Sequence, residues 1–189
     1  MNDIIIRIEF FSQWNCSSGL SAGADADSLV IKDADGLPYI PGKTIKGLVR
    51  EAVEDYVSLS GLSLSVDESF GRDAGKSDEE LPQKGCLFFG NATLEDGESQ
   101  TILAEGLSDY LYRNRVSTAI DDKTGIALDH SLRSIQTTVP CTLYANVMHV
   151  SDELLQVLEP ALGLIKCMGM GRNRGMGRCR FSIEKGGKV

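Results

Sequence analysis

Histidines and paired cysteines are scarce in this chain. It has two histidines, His130 and His149, and neither stands in an H-E-x-x-H setting, so histidine-based metal or triad chemistry has little support. The five cysteines are odd in number, and no two of them form a C-x-x-C pair. That spacing argues against a disulfide framework and against a zinc site. We therefore expect reduced thiols that serve mainly as small apolar residues.

Long apolar runs are also missing. No stretch approaches the roughly 20 apolar residues of a membrane span. The N-terminal Met1-Asn2-Asp3 lacks the basic region and the cleavage site of a signal peptide, so we expect a cytoplasmic protein with no membrane contact. At 189 residues, with 42% hydrophobic and 24% charged residues, the chain suits one soluble globular domain over 1–189.

The net charge of −8 is unusual for a nucleic-acid binder, but the charges are segregated along the chain. Residues 51–109 hold fourteen acidic against three basic residues, whereas residues 166–189 hold seven basic residues and one acidic residue. Lys43, Lys46 and Arg50 form a second basic run. Because a charged surface acts on phosphates within about 8 Å at physiological salt, a local basic face can bind RNA on an acidic protein. Ordinary solvated surface is the alternative for both clusters.

Hydrophobic periodicity predicts an α+β fold. The predicted elements are a strand over 4–11, a helix over 44–59 with Thr44 as N-cap, strands over 86–94 and 101–104 around a turn at Asp96-Gly97, a strand over 142–150, a helix opened by Ser151, and a strand over 179–183. This order matches a ferredoxin-like (RRM-like) β-α-β-β-α-β core with insertions. The insertions are a long loop over 12–36 and an extended excursion over 110–139 with its tip at 121–125.

The start of the first predicted helix is a candidate phosphate site. Gly42-Lys43-Thr44 invites comparison with a P-loop, but the first glycine of that motif would fall on Leu37, which disfavours nucleotide hydrolysis. A helix N-terminus preceded by glycine still attracts phosphate. Lys46 and Arg50 share a face near this end, where cations oppose the helix dipole unless an anion docks there. We therefore expect all five residues to contact RNA phosphates.

A glycine- and arginine-rich loop over 168–178 is a second candidate phosphate site, centred on Gly171-Arg172-Asn173-Arg174. Position 174 is arginine where a dinucleotide fingerprint needs glycine, which argues against that fingerprint. The glycines permit close backbone approach to a ligand, and the arginines supply forked donors for phosphate oxygens. A flexible turn is the alternative. We expect this loop and the helix start to form one two-part RNA-binding site.

Two runs of sequence carry a family resemblance. Asp27-Ser-Leu-Val-Ile-Lys-Asp33 is followed by Gly36-Leu-Pro-Tyr-Ile-Pro-Gly-Lys-Thr-Ile-Lys-Gly-Leu-Val-Arg50. Together with Phe70-Gly71, the segment 113–140 and the glycine-rich loop, these runs resemble the RAMP superfamily of CRISPR-associated proteins. Within it, the chain is most similar to the repeating backbone subunit of type III effector complexes. The similarity covers most of the chain in order.

That resemblance implies a modified RRM-like fold and subunits that stack into a filament along a guide CRISPR RNA. The implied partners are the guide, a complementary target RNA, copies of the chain itself and other effector subunits. Lys43, Lys46 and Arg50 would bind the guide backbone. The excursion from Arg113 to Thr138, with Arg113 and Arg115 at its start, would form a thumb that wedges into the guide–target duplex.

The resemblance also implies a catalytic candidate. In several family members an aspartate in the loop before the Pro-Gly motif cleaves target RNA with a divalent metal. Asp27 is the matching residue of the 12–36 loop here, so it would be the catalytic carboxylate and a ligand of Mg²⁺ or Mn²⁺. Two alternatives stay open. One is a non-cleaving scaffold subunit of the same complex. The other is a stand-alone RNA-processing endonuclease of the superfamily, which the scarcity of histidine disfavours.

Overall fold

A central antiparallel sheet organises the protein, whose computed structural model describes residues 1–23, 26–72 and 82–184. Its strands are β1 (Asn2–Phe10), β4 (Phe88–Phe89), β7 (Thr142–Val150) and β8 (Cys179–Ile183), in the spatial order β4–β7–β1–β8. The two long helices, α1 (Gly42–Ser60) and α4 (Asp152–Leu162), pack against each other. On β1, the alternate residues Ile6, Ile8 and Phe10 are buried in one core with these helices.

Smaller elements are inserted between the strands of this sheet. They are α2 (Val66–Phe70), β2 (Gly71–Arg72) paired with β3 (Gln83–Lys84), α3 (Asp96–Ala104), and a hairpin of β5 (Tyr112–Ser117) and β6 (Arg133–Thr138). Short 3-10 turns lie at Ser108–Leu111 and Arg172–Arg174. Within the described residues, no helix has the length and apolar character needed to cross a bilayer.

The protein is a mixed α/β fold with antiparallel sheets, and its main elements follow the predicted order along the chain. One predicted strand is wrong. Residues 101–104 belong to α3, which begins at Asp96 where a turn was predicted. Its short apolar run, Ile102-Leu103, is compatible with either a strand or a helix by periodicity alone, and only Ile102 is buried. The predicted strand over 86–94 is regular only at β4.

The first long helix starts two residues earlier than predicted. Pro41 is its N-cap, and the Pro41 carbonyl accepts hydrogen bonds from Thr44 N (2.9 Å) and Ile45 N (3.2 Å). Thr44 is therefore inside the helix and exposed, so its predicted role as N-cap is wrong. The predicted cap of α4 is confirmed, since Ser151 Oγ accepts from Leu154 N at 3.2 Å.

The cysteines are free thiols, as predicted. Burial raises the pKa of Cys141 and of Cys179 to about 12. Both side chains therefore stay protonated at neutral pH and pack as small apolar groups.

Gly42 is required by packing. A Cβ on Gly42 would lie 2.1 Å from Phe89 O and 2.8 Å from Gly90 O, so the start of α1 rests directly on the β4 backbone. Gly47, one turn further along the same helix, would place its Cβ in open space. The contact between the α1 and β4 backbones therefore requires glycine at position 42 and not at position 47.

We expect Gly42→Ala to lower the free energy of unfolding by about 1–3 kcal/mol, because backbone atoms must shift to accept the methyl group. Gly47→Ala is the matched control and should raise stability by up to about 1 kcal/mol, since alanine is the better helix former. Urea denaturation of both variants measures the difference. Equal stabilities would contradict the close packing of α1 on β4.

Candidate nucleic-acid interface

The predicted excursion is a β-hairpin. Its register places Arg113 opposite Thr137, Arg115 opposite Ile135 and Ser117 opposite Arg133. Because side chains alternate between the two faces of a strand, these three pairs share one face. Arg113, Arg115 and Arg133 are all exposed, so this face carries three cations.

The tip of the hairpin is an ordered turn. Asp121 Oδ1 accepts hydrogen bonds from Lys123 N (3.0 Å), Thr124 N (2.8 Å) and Thr124 Oγ1 (2.9 Å). Those hydrogen bonds, chiefly from Thr124, lower the pKa of Asp121. The predicted tip at 121–125 is confirmed, because Gly125 N also donates to Asp121 O at 2.8 Å.

The glycines of the 168–178 loop allow close packing within the protein. All four have positive φ, and a Cβ on Gly177 would lie 1.9 Å from Met168 O. A Cβ on Gly169 would lie 2.4 Å from Asn15 O, and one on Gly171 would lie 2.8 Å from Met176 Sδ. Close approach to a ligand was the expected reason for these glycines. The structure shows that three of the four instead approach the chain itself.

Segment 11–16, which follows β1, joins this loop to the hairpin. On one side, Phe11 N donates to Arg178 O (2.8 Å) and Met170 N donates to Asn15 O (2.9 Å). On the other side, Trp14 N donates to Thr138 O (3.1 Å), and Thr138 N donates back to Trp14 O (2.7 Å). Segment 11–16 therefore holds the loop and the base of β6 at a fixed separation.

An open groove of about 480 Å³ lies between the hairpin face and the loop. We call it the hairpin groove. It is lined by Arg115, Ser117, Arg133 and Ile135 from the hairpin, and by residues 169–174 and Met176 from the loop. Four arginines therefore surround it, Arg115, Arg133, Arg172 and Arg174, and none of the described residues in its lining is acidic. An open groove with four guanidinium groups and no carboxylate among its described lining favours a polyanion.

Arg133 was absent from the residues that the sequence singled out. It lies eighteen residues after Arg115, between Leu132 and Ser134, and belongs to no recognisable motif. Its position becomes evident only from the strand register, which places it beside Ser117 on the face that carries Arg115. The alternating arginines of β5 indicate a basic face on the hairpin. The sequence of β6 shows no such alternation, so it gives no sign that Arg133 shares that face.

The cluster at the start of α1 is partly engaged within the protein. Gly42 N, a predicted phosphate donor, donates to Asn91 Oδ1 at 3.0 Å. Lys46 Nζ lies 3.4 Å from Leu87 O. Lys43 and Thr44 are exposed. The helix start thus offers two exposed side chains to a phosphate, and the N–H group of its first glycine is already bound.

Arg50 binds neighbouring elements of its own chain. Its guanidinium pairs with Glu54 Oε1 (2.7 Å) and Asp67 Oδ1 (2.8 Å), and it also donates to Gly71 O. These interactions, chiefly the one with Glu54, raise the pKa of Arg50. Arg50 therefore attaches α1 to α2 and β2, and its contact with RNA stays a prediction.

The two predicted halves of the RNA site do not meet through the basic face of α1. The helix side that approaches Lys166 and Arg172 carries Leu48, Glu51 and Asp55. On another side of α1, Lys46 instead contacts Leu87, and Arg50 contacts Asp67 and Gly71. The two clusters were predicted to lie together because both are basic. The direction of side chains around α1 instead turns Lys46 and Arg50 away from the glycine-rich loop.

Asp27 lies at the edge of the hairpin. Its N–H donates to Ser134 O at 2.7 Å, and its Oδ2 accepts from Ser134 N at 2.8 Å. The next residue, Ser28, forms a parallel bridge with Ile135. The predicted loop therefore adds an extended edge to β6, and Asp27 is exposed beside two residues of the hairpin groove, Arg133 and Ile135, without lining that groove.

The same loop is anchored at its other end. Tyr112 donates its hydroxyl hydrogen to Gly36 O at 2.6 Å, and Lys32 Nζ lies 3.7 Å from the Tyr112 ring centroid. Burial raises the pKa of Tyr112 above its usual range. A neutral phenol thus remains available as a donor to Gly36 at all pH values near neutrality.

The described residues offer a divalent metal few protein ligands. Across 1–23, 26–72 and 82–184, no three His, Cys, Asp or Glu side chains converge where an ion could sit. Asp27 supplies a carboxylate with one oxygen already hydrogen-bonded. Such a site fits Mg²⁺ or Mn²⁺ only in the manner in which one carboxylate binds an ion that keeps waters and substrate phosphates as its other ligands.

Comparison with known proteins tests the resemblance to the RAMP superfamily. The model of the RAMP superfamily matches residues 7–180. The chain belongs to the RAMP superfamily. Two solved chains share its fold: one from the type III-B Cmr-beta complex bound to cognate target RNA, with a TM-score of 0.72, and one from its apo state, with a TM-score of 0.71. Each is 11% identical, over 97% of both chains. No curated protein sequence matches the chain significantly.

Replacing Arg50 tests whether it is structural in this RAMP protein. We expect Arg50→Met to lower the free energy of unfolding by about 1 kcal/mol, because its ion pairs are partly exposed. Affinity for single-stranded RNA should change no more than in Lys84→Ala, which removes an exposed cation of β3. Urea denaturation and fluorescence anisotropy measure the two effects. A large loss of RNA affinity without a loss of stability would contradict the structural role.

Proposed function

We propose that the chain is a guide-RNA-binding backbone subunit of a type III CRISPR effector complex. The observation that carries this proposal is the hairpin groove, where arginines from two separate elements converge without an acidic side chain among the described lining residues. Membership of the RAMP superfamily and the fold shared with chains of type III-B Cmr-beta complexes support it. Target RNA, further copies of the chain in a filament and other effector subunits would be its partners.

The groove would bind RNA through its phosphates. Arg172 and Arg174 lie between αL glycines on a loop whose backbone is held by segment 11–16, so their guanidinium groups are presented from a rigid support. Arg115 and Arg133 face them from the hairpin. Planar guanidinium groups bind phosphate oxygens in pairs, and such contacts position a strand without reading its bases. Binding should therefore tolerate many guide sequences.

The loop arginines are tested by their effect on salt dependence. We expect Arg172→Ala with Arg174→Ala to weaken binding of single-stranded RNA and to reduce the slope of log K against log salt by about 0.7 for each lost phosphate contact. Lys84→Ala, which removes an exposed cation outside the groove, is the control. Anisotropy titrations over a series of salt concentrations provide the slopes. An unchanged slope in the double variant would show that these arginines do not meet phosphate.

Cleavage of the bound target is the finer part of the proposal. Asp27 would hold a divalent metal together with phosphate oxygens of the RNA, and the metal would supply Lewis-acid stabilisation of the phosphate. The hydrogen bonds with Ser134 fix the position of Asp27 next to the hairpin groove. Its exposed carboxylate is therefore oriented before RNA arrives, which lowers the entropic cost of aligning it with a bound strand.

Asp27→Asn separates the charge of this side chain from its hydrogen bond. The amide oxygen of asparagine still accepts from Ser134 N, so folding and RNA affinity should persist. Loss of the anionic ligand should abolish metal-dependent cuts in a complementary labelled target, as measured with the complex assembled on guide RNA with and without Mg²⁺. Cleavage by the variant at the unaltered rate would remove Asp27 from the mechanism.

A non-cleaving scaffold is the second candidate function. The observation in its favour is that one Asp27 oxygen is already hydrogen-bonded and that, among the described residues, Asp27 belongs to no group of three or more His, Cys, Asp or Glu side chains that could hold a metal ion. A scaffold would bind the target tightly and leave it uncut by the unmodified chain in Mg²⁺. The same assay therefore separates the two functions.

A further inference from the structure

A second basic groove lies on the other side of the glycine-rich loop. Its volume is about 430 Å³, and we call it the Phe11 groove. Lys166, Arg172, Arg178 and Arg180 line it, and the described lining contains no acidic residue. Arg172 lines the hairpin groove as well, so the two grooves meet at this side chain.

Unlike the hairpin groove, the Phe11 groove has aromatic side chains among its lining. Leu162, Ile165 and Phe181 contribute buried side chains, whereas Phe11 is 49% exposed. The Arg180 guanidinium carbon lies 5.4 Å from the centroid of the Phe11 ring. The Phe11 backbone is fixed, because its N–H donates to Arg178 O at 2.8 Å. An exposed aromatic ring thus projects from a fixed backbone position among cations.

This combination matches the two parts of a nucleotide. Cations bind the phosphate, and an exposed ring beside a guanidinium group stacks on the base. An acidic peptide would use the cations but would gain nothing specific from the ring. The lining therefore favours a nucleotide with an unpaired base over a carboxylate-rich protein segment.

We propose that the Phe11 groove holds one unpaired nucleotide of the bound RNA, with its base stacked on Phe11 and its phosphates at Lys166 and Arg178. This proposal rests on the proposed function, because the strand reaches the groove from the hairpin groove past Arg172. The Phe11 groove would therefore take up a nucleotide whose base enters it unpaired, beside the phosphate-binding hairpin groove.

Phe11→Leu tests the stacking contact without removing a charge. We expect it to weaken binding of a labelled single-stranded RNA by roughly 5- to 150-fold, the contribution of one stacked base. The salt dependence should not change, since no cation is lost. Phe11→Tyr should retain the affinity. Fluorescence anisotropy with the full chain measures all three.

Two matched controls isolate the base. Phe88→Leu removes an aromatic ring that is 57% exposed and lies outside both grooves, and it should leave RNA affinity unchanged. An abasic strand of the same length should bind Phe11→Leu and the unmodified chain equally, because it has no base to stack. Phe11→Trp gives a direct readout, since RNA should quench its added emission and the abasic strand should not.

The outcomes are distinct. Unaltered RNA affinity in Phe11→Leu overturns the Phe11 proposal and leaves the proposed function intact. An equal loss for RNA and for the abasic strand also overturns it, because the ring would then act through the structure of the groove. If the unmodified chain binds neither strand, both the proposed function and this proposal fail.

Discussion

Everything at the candidate interface depends on the main-chain hydrogen bonds of segment 11–16. This short stretch leaves the central sheet and bonds on one side to the glycine-rich loop and on the other to the base of the hairpin. Buried backbone groups must be paired, so the segment can satisfy its donors and acceptors only when both neighbours are in place. Asn15 also donates its side-chain amide to Gln136 O at 2.6 Å. The hairpin groove is the space between the hairpin and the glycine-rich loop, both of which are hydrogen-bonded to segment 11–16.

The glycines follow from the same constraint. Gly169 and Gly177 stand where any Cβ would meet a carbonyl oxygen, so the loop packs on segment 11–16 and on itself. Between αL glycines, Arg172, Asn173 and Arg174 form a 3-10 turn that projects into solvent. The sequence of this loop is typical of a flexible turn, but in the structure its backbone is packed against segment 11–16 and against itself. The loop backbone therefore loses little conformational freedom when its arginines bind phosphate, which favours affinity.

Charge segregation along the chain becomes segregation in space only after folding. Arg50 is neutralised by carboxylates on α1 and α2, whereas Arg133 joins the exposed cations opposite the loop. Both grooves beside the loop keep acidic groups out of their described lining, although the protein has a net charge of −8. Local arrangement, not overall charge, therefore determines where a polyanion can bind, because screening limits each charge to about 8 Å at physiological salt.

The sequence by itself determined the order of the main elements, the hairpin with its Asp121 turn, the cap at Ser151 and the family. These features depend on local periodicity, turn chemistry and contiguous motifs. It misplaced the strand at 101–104, because two apolar residues cannot distinguish a strand from a helix. Only the tertiary structure showed that Arg50 is engaged within the chain, that Arg133 lines the hairpin groove and that Phe11 stands exposed beside Arg180. These features depend on the pairing register of the strands and on which side of a helix packs against a distant segment. No local sequence pattern encodes either.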